Sequence, residues 1–198
     1  ELPDCEITSV YEINEAIVMY DRQKSEAGYH QLSEERGLEG VQLMKKPRGV
    51  LLDFGDTILG MKKFDTLDGN SHCMQFLDNP NSYSPSQVQD AANALNEFIK
   101  PLREESKLEH SFLCFQKLLN GLLDFHMEIQ ESEYELEFWK ACTDFVPEPS
   151  IVRAVDVMRN ENIKIGIVSN SAFSGKVLEW ELEKHGLLSY FEFVIASA

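Results

Sequence analysis

Two short apolar runs, each ending in a polar residue, are the clearest pattern in the chain. Val50, Leu51 and Leu52 lead directly into Asp53, and the run at residues 163–168 leads into Ser169. Such runs are too short for a helix core and are typical of strands buried on both faces of a parallel sheet. Paired side by side, the two strands bring their carboxyl ends to the edge where open α/β sheets bind ligands.

Between these runs the apolar residues recur at helical spacing. Ser84 followed by Pro85 predicts a helix start, and Pro101 predicts the end or a kink of that helix. Ser132 and Glu135 have the spacing of a capping box, which opens another helix. The pattern therefore predicts three amphipathic helices inserted between the strands, with these apolar positions: Val88, Ala91, Ala92, Leu95, Phe98 and Ile99; Phe112, Phe115, Leu118, Leu119, Leu122 and Leu123; Leu136, Trp139, Ala141 and Cys142.

The remaining pattern predicts helices around both strands. A helix over residues 150–160 leads into the second strand, and Ser174 opens another that stops near Gly186. Parallel pairing of strands connected in this way requires a right-handed crossover. Near the start, Ile13, Ala16, Ile17 and Tyr20 mark one face of a helix. The acidic run at residues 131–137 is interpreted as a solvated helix face, and Phe138 with Trp139 as core of the insertion.

The net charge of the chain limits the classes of molecule that it can bind. The chain has 18 basic and 34 acidic residues, a net charge of -16, which disfavours nucleic acid and anionic membranes as partners. Four scattered cysteines without metal-site spacing indicate free thiols in a reducing compartment, and no signal sequence or apolar run of about 20 residues is present. We therefore expect a cytoplasmic protein. The composition predicts no oligomeric state.

The residues at the two strand ends resemble the motifs of the haloacid dehalogenase superfamily. Asp53 and Thr57 match the first and last positions of its first motif, Asp-x-Asp-x-Thr/Val, and Ser169 matches the second motif. Gly55 stands where the phosphatases of that family carry their acid/base Asp, and Asp56 follows it. The strand-like stretch at residues 191–197 resembles the one that precedes the third motif. The Lys of that motif and the acidic pair of the fourth are absent, so a processed, cropped or incomplete chain is expected.

The resemblance implies an α/β fold: a Rossmann-like parallel sheet core with an inserted α-helical cap. Residues 1–46 would be an N-terminal extension, residues 47–60 and 148–198 a core incomplete at its C-terminal end, and residues 61–147 the cap. A cap in this position closes over the active site and selects the substrate. The return from cap to core is predicted at Pro147, Glu148 and Pro149.

The resemblance also implies Mg²⁺-dependent hydrolysis of a small phosphorylated molecule. Asp53 would be the nucleophile and, with the main-chain carbonyl of Gly55, a metal ligand. Thr57, Ser169 and Asn170 would hold the phosphate. Asp56 is either the displaced acid/base or an Asp that hydrogen-bonds its own turn.

Other interpretations remain open. Family members without Asp at the position of Gly55 include dehalogenases and phosphonatases, so a carbon-halogen or carbon-phosphorus bond is an alternative target. A non-catalytic binding module or fragment is another. Residues 53–55 also match the magnesium-binding tripeptide of protein kinases, but the chain lacks the Gly-rich loop, strand Lys and His-Arg-Asp sequence that a kinase needs.

Overall fold

The computed structural model describes residues 47–106 and 110–197, and the helix predicted around Ile13 lies outside them. The elements in chain order are β1 (Gly49–Leu52), β2 (Leu59–Phe64), α1 (Thr66–Cys73), α2 (Pro85–Ser106), α3 (Phe112–Leu123), α4 (Glu131–Cys142), β3 (Thr143–Pro147), α5 (Pro149–Asn160), β4 (Lys164–Ser169), α6 (Gly175–Lys184) and β5 (Val194–Ala196). Short 3₁₀ helices occupy Met74–Phe76 and Leu188–Tyr190.

The central sheet is parallel, with the strands in the order β1-β4-β5. In the register of β1 and β4, Val50 lies opposite Ile165 and Leu52 opposite Ile167. Ile167 in turn lies opposite Val194 of β5. The described chain is therefore an α/β structure with a Rossmann-like parallel sheet, and the predicted fold class is confirmed.

The core lies between one face of this sheet and the helices that flank β4 in sequence. Ile165 and Ile167 are 2% and 0% exposed. Ile151, Val155 and Met158 of α5 are buried, as are Val177, Leu178 and Leu182 of α6. Both of these helices were predicted, and each buries an apolar face.

A second, antiparallel sheet of β2 and β3 was not predicted. Phe64 lies opposite Thr143 and Leu59 opposite Pro147, with an irregularity between Met61 and Lys63. Four of the six residues of β2 are exposed, so the strand lacks the alternation that reveals a half-buried strand. The pair closes the base of the helical insertion, because β2 enters it and β3 leaves it.

Helix α1 was also not predicted, and it packs tightly on α4. The side chain of Asp65 caps α1 by accepting hydrogen bonds from the amides of Leu67 and Asp68. A Cβ atom at Gly69 would lie 2.7 Å from Cε2 of Phe138, so the close approach of the two helices requires glycine there.

The predicted helices of the insertion are present, with corrections. Ser84 accepts a hydrogen bond from the Gln87 amide at 3.3 Å, which confirms it as the start of α2. Pro101 does not end the helix: it lies within α2, which continues to Ser106. The predicted capping box is wrong, since α4 begins at Glu131 and Ser132 lies inside it.

Part of the predicted apolar faces is also wrong. Phe98, Leu118 and Leu122 are 75%, 56% and 65% exposed, although they share helix faces with buried residues. The apolar stripes of α2 and α3 are wider than the surface that each helix buries against described residues.

In the part of the chain that the structure describes, no helix combines the length and the apolar character needed to cross a bilayer. The domain boundaries at residues 60 and 147, and the role of the insertion as a cap, stay predictions.

Candidate active site

Asp53 and Ser169 lie at the same edge of the parallel sheet. Leu52 and Ile167 are register partners, so Asp53 follows that pair by one residue and Ser169 by two. Because the strands are parallel and adjacent, their carboxyl ends meet at this edge. The pairing predicted for the two strands is confirmed, while the roles of the two residues stay predictions.

The loop after β1 holds Asp53 at the surface with one carboxylate oxygen fixed. Asp53 is exposed, and its Oδ1 accepts a hydrogen bond from the Phe54 amide at 2.7 Å. The amides of Ile58 and Leu59 donate to the Phe54 carbonyl at 3.0 and 3.3 Å, which closes a tight turn behind it. Among the described residues Oδ2 has no hydrogen-bond partner, so this oxygen is available for chemistry.

Asp56 has the geometry of a turn residue. Its φ of 54° lies in the left-handed region, which Asp tolerates better than most residues. Its amide donates to the Leu59 carbonyl at 2.9 Å, and its Oδ1 accepts a long bond of 3.4 Å from the Met61 amide. These contacts hold Asp56 in the turn, and both interpretations of its carboxylate stay predictions.

Open space surrounds Gly55. A Cβ atom built on it meets nothing within 4 Å, and the residue is exposed. Thr57 is half-buried in the same turn. A carboxylate side chain at position 55 therefore fits without displacing any described neighbour.

The end of β4 and the loop after it carry three polar side chains. Ser169 is 7% exposed, and its hydroxyl forms no hydrogen bond with the described residues. Asn170 is exposed, and its Oδ1 accepts a hydrogen bond from the Ser197 hydroxyl at 2.9 Å. The Ser171 hydroxyl accepts from the Phe173 amide at 3.1 Å. Among the described residues, the Ser169 hydroxyl and the Asn170 side-chain nitrogen thus both remain available to donate to a ligand oxygen.

Ser197 is a site residue that sequence reasoning did not single out. Its hydroxyl accepts from the Ser171 amide at 3.1 Å and lies 3.2 Å from the Ser171 carbonyl, in addition to its bond to Asn170. Its own amide donates to the Ser169 carbonyl at 3.1 Å. Ser197 comes directly after β5, and Ser169 is the last residue of β4, so the pattern of polar residues at strand ends was the available signal.

An aromatic cluster joins the two site loops to the insertion. Trp139 of α4 contacts Phe54 of the first loop and Phe173 of the second, with ring centroids 6.5 and 4.8 Å apart. It also stacks on Phe145 of β3 at 5.3 Å. The predicted burial of Trp139 is confirmed. Through this residue, α4 of the insertion packs against both site loops.

Two buried carboxylates add polar contacts between α4 and α6. Glu135, 2% exposed, accepts hydrogen bonds from the amide and hydroxyl of Ser174 at 2.9 and 2.6 Å. Glu181, 0% exposed, accepts from the Trp139 indole at 2.7 Å, Lys184 at 2.9 Å and His185 at 3.0 Å. The interpretation of residues 131–137 as a uniformly solvated face is therefore wrong, because Glu135 caps the start of α6.

The residues predicted to hold Mg²⁺ supply oxygen ligands of the right kind but few of them. The carboxylate of Asp53 and the carbonyl of Gly55 come from exposed residues at the sheet edge. Among the described residues no three His, Cys, Asp or Glu side chains form a group that could hold a metal ion. The donor set fits an ion that keeps several waters and takes phosphate oxygens as ligands, which is the usual behaviour of Mg²⁺.

A surface depression of about 540 Å³ lies elsewhere, between α3 and the start of α4. Its lining includes Lys117, His126 and Gln130 and none of the residues predicted for the site. The candidate active site is thus an open sheet edge distinct from this depression.

Comparison with known proteins gives likenesses among solved structures alone. No family model and no curated protein matches the sequence. Among solved structures 13 chains match, including a "putative phosphoglycolate phosphatase" from Lactobacillus delbrueckii subsp. bulgaricus, at 18% identity and a TM-score of 0.34. The match covers 78% of this chain and 66% of that one. A likeness of this degree carries no argument about function, which must be argued from the site.

Proposed function

We propose that the protein is a hydrolase of small phosphate monoesters that uses Asp53 as a nucleophile. The observation that carries the proposal is the parallel register, which sets Asp53 and Ser169 on adjacent strand ends. A carboxylate beside an uncommitted hydroxyl suits attack on a phosphoryl group whose oxygens the hydroxyl binds.

In the proposed reaction a carboxylate oxygen of Asp53 attacks phosphorus, and the bond from phosphorus to the leaving oxygen breaks. The Asp53–Phe54 hydrogen bond of 2.7 Å orients the carboxylate, and Ser169 donates to a phosphate oxygen. Water then attacks phosphorus in the aspartyl phosphate, which releases inorganic phosphate and restores Asp53. Thr57 keeps its predicted role in orienting the phosphate and the turn after β1.

Mg²⁺ is part of this proposal, with Asp53 and Gly55 as its protein ligands. When bound, it would neutralise charge on the phosphate. Since these residues provide two oxygens, we expect Mg²⁺ to bind weakly alone and more tightly with phosphate present. Calorimetric titration of Mg²⁺ with and without inorganic phosphate measures the difference.

Asp56 is the candidate residue for acid-base catalysis. Gly55 has no side chain, and Asp56 contacts the Met61 amide. General acid-base help is worth about 10²–10⁴-fold, so an enzyme without it is slow but active. Asp56→Asn tests the remaining candidate, because unchanged turnover removes Asp56 from the mechanism.

Hydrolysis of an aryl phosphate with and without Mg²⁺ tests the proposal, using Asp53→Asn and the matched control Asp90→Asn. Asp90 is exposed on α2, away from the sheet edge. Metal-dependent turnover that disappears only in Asp53→Asn supports the proposal, and turnover that survives in Asp53→Asn contradicts it. Halide release from a haloacid, with no phosphate release, instead supports the dehalogenase alternative that Gly55 leaves open. A cytoplasmic setting stays part of the proposal.

A further inference from the structure

One face of the parallel sheet is apolar and exposed. Val168 of β4 and Ile195 of β5 are register partners, and they are 46% and 54% exposed. Phe193, which precedes β5, is 43% exposed, and its ring lies over Gly166, where an added Cβ would come within 2.3 Å of Cζ. Because side chains alternate along a strand, Gly166, Val168, Phe193 and Ile195 share one face of the sheet. We call these four residues the open face.

The open face is opposite to the helices that flank β4. Ile165 and Ile167, which point to the other side of the same strand, are 2% and 0% exposed. Parallel sheets are normally covered on both faces, and their strands are apolar throughout for that reason. The exposed fractions of Val168 and Ile195 mean that no described element covers the open face.

We propose that residues 7–20 of this same chain form an amphipathic helix that packs on the open face. Ile13, Ala16, Ile17 and Tyr20 recur at helical spacing, so one face of that helix is apolar. A helix with a single apolar face must bury it, and the open face is an apolar surface of matching character.

Charge complementarity supports the same pairing. Residues 1–20 contain five acidic residues and no Lys or Arg. Arg48 and Lys164 are exposed at the start of β1 and β4, where the Lys164 amide donates to the Arg48 carbonyl at 3.2 Å. Lys164 also alternates onto the side of the sheet that carries Val168. Lys164 is thus the basic residue that an acidic helix on the open face would meet, and its amine lies 3.8 Å from the Glu192 carboxylate.

The chain connection allows this packing. Residues 21–46 link the segment to β1, which is itself a strand of the sheet to be covered. At about 3.3 Å per residue, the fully extended linker is ~85 Å long. The distance across the three strands of the sheet is ~10 Å, so the linker is long enough to reach any part of the open face. The segment is therefore held at high effective concentration near the open face.

Photo-cross-linking of the full chain tests the proposal. Benzoylphenylalanine replaces Ile195, which is exposed and so tolerates the change, and Leu122 on α3 is the control position at 65% exposed. Trypsin releases residues 1–22 as one peptide, because Arg22 is the first basic residue. Cross-linking of that peptide from position 195 and not from position 122 is the expected result. Failure to recover it from position 195 overturns the proposal.

Mixing ¹⁵N-labelled and unlabelled protein separates the two possible sources of the peptide. A cross-link within one copy joins two peptides of the same isotope and supports the proposal. If the two copies pair at random, products that join a labelled and an unlabelled peptide form at the random frequency. That result means that a second copy covers the open face, and it overturns the proposal.

A matched pair of substitutions tests the apolar stripe. Ile17→Asp places a charge on the stripe, and Asn14→Asp adds the same charge beside it, about 100° around the helix from Ile13. We expect Ile17→Asp to reduce the cross-link yield about tenfold, since it removes a buried side chain from the contact. Asn14→Asp is expected to leave the yield unchanged, and equal losses in both variants contradict the proposal.

Discussion

The indole of Trp139 donates a hydrogen bond to Oε2 of Glu181 across 2.7 Å, joining the last helix of the insertion to the helix that follows β4. Glu181 is completely buried, and its other oxygen accepts from Lys184 and His185. A buried carboxylate is stable only when hydrogen-bonded partners compensate for its lost hydration. This hydrogen bond therefore fixes α4 of the insertion to α6 of the core.

We predict that Trp139→Phe lowers the free energy of unfolding by about 2 kcal/mol, because one of the bonds to a buried charge is lost. Trp180→Phe is the matched control, since Trp180 is half-buried, packs against the core and has the amines of Lys140 and Lys184 over its ring. We expect that control to cost less than about 1 kcal/mol. Urea unfolding followed by circular dichroism measures both, and equal losses contradict the role given to the indole.

Glu135 and Glu133 are two residues apart on α4 and differ in burial. Glu135 accepts two hydrogen bonds from Ser174, whereas Glu133 is exposed. Glu135→Ala is expected to cost about 2 kcal/mol, and Glu133→Ala less than about 0.5 kcal/mol. A double-mutant cycle with Ser174→Ala checks the assignment, and additive losses mean that the two side chains are not coupled.

Gly55→Asp tests whether a carboxylate at this position completes the site. The open space around Gly55 admits the side chain. If the proposed function is correct, the kcat for an aryl phosphate rises by up to about 10²–10⁴-fold. Gly121→Asp is the control, because Gly121 on α3 is equally open and lies in the insertion. A folded Gly55→Asp variant with unchanged kcat contradicts the acid-base interpretation of this position.

Ser197→Ala removes the hydroxyl that holds Asn170 and Ser171. We predict an increase in KM of about fivefold with little change in kcat, since the hydrogen bonds position the loop and do not touch the reacting atoms. Ser189→Ala, at an exposed serine before β5, is the control. A lower kcat with an unchanged KM contradicts this positioning role.

The cysteines should differ in reactivity. Burial raises the pKa of Cys73 and of Cys142 to about 12, while Cys114 is exposed. Because the thiolate is the reactive form, iodoacetamide at pH 8 should label Cys114. Cys73 and Cys142 should stay unlabelled until the protein is unfolded. Mass spectrometry of tryptic peptides gives the result for each cysteine, and early labelling of Cys73 contradicts its burial.

The same pKa values predict a loss of stability in alkali. An unfolded cysteine ionises near pH 8.5, whereas Cys73 and Cys142 keep their protons in the fold up to about pH 12. Between those values the unfolded chain binds fewer protons, so the free energy of unfolding falls as the pH rises. Melting temperatures measured from pH 8 to 11 should decline, and replacing both cysteines with Ala should flatten that part of the profile.

The sheet was predictable because its signal is local. Val50 to Leu52 and the mostly apolar residues 163–168 each lead into a polar residue, and runs of this kind predict strands of a parallel sheet. The start of α2 was predictable for a similar reason, since Ser84 and Pro85 act within one helical turn. Asp53 and Ser169 were consequently placed at one edge from sequence alone.

The contacts that were missed depend on residues far apart in sequence. Glu135 resembles the other acidic residues of its run, and only the approach of Ser174 makes it a buried cap. β2 has two buried residues followed by four exposed ones, so it carries no alternation of its own, and β3 finds its partner only across the whole insertion. Ser197 acquires its partners only when β5 lies beside β4.

The pairing of β2 with β3 also bears on how such a protein changes over evolutionary time. Phe64 and Thr143 are neighbours across that pair, so the points where the insertion leaves and rejoins the chain stay one strand spacing apart, whatever lies between them. A segment of another length or fold can therefore be exchanged at this point without moving Asp53. The exchange has one condition: the incoming segment must supply its own partners for Ser174 and Glu181, which Glu135 and Trp139 satisfy in this chain.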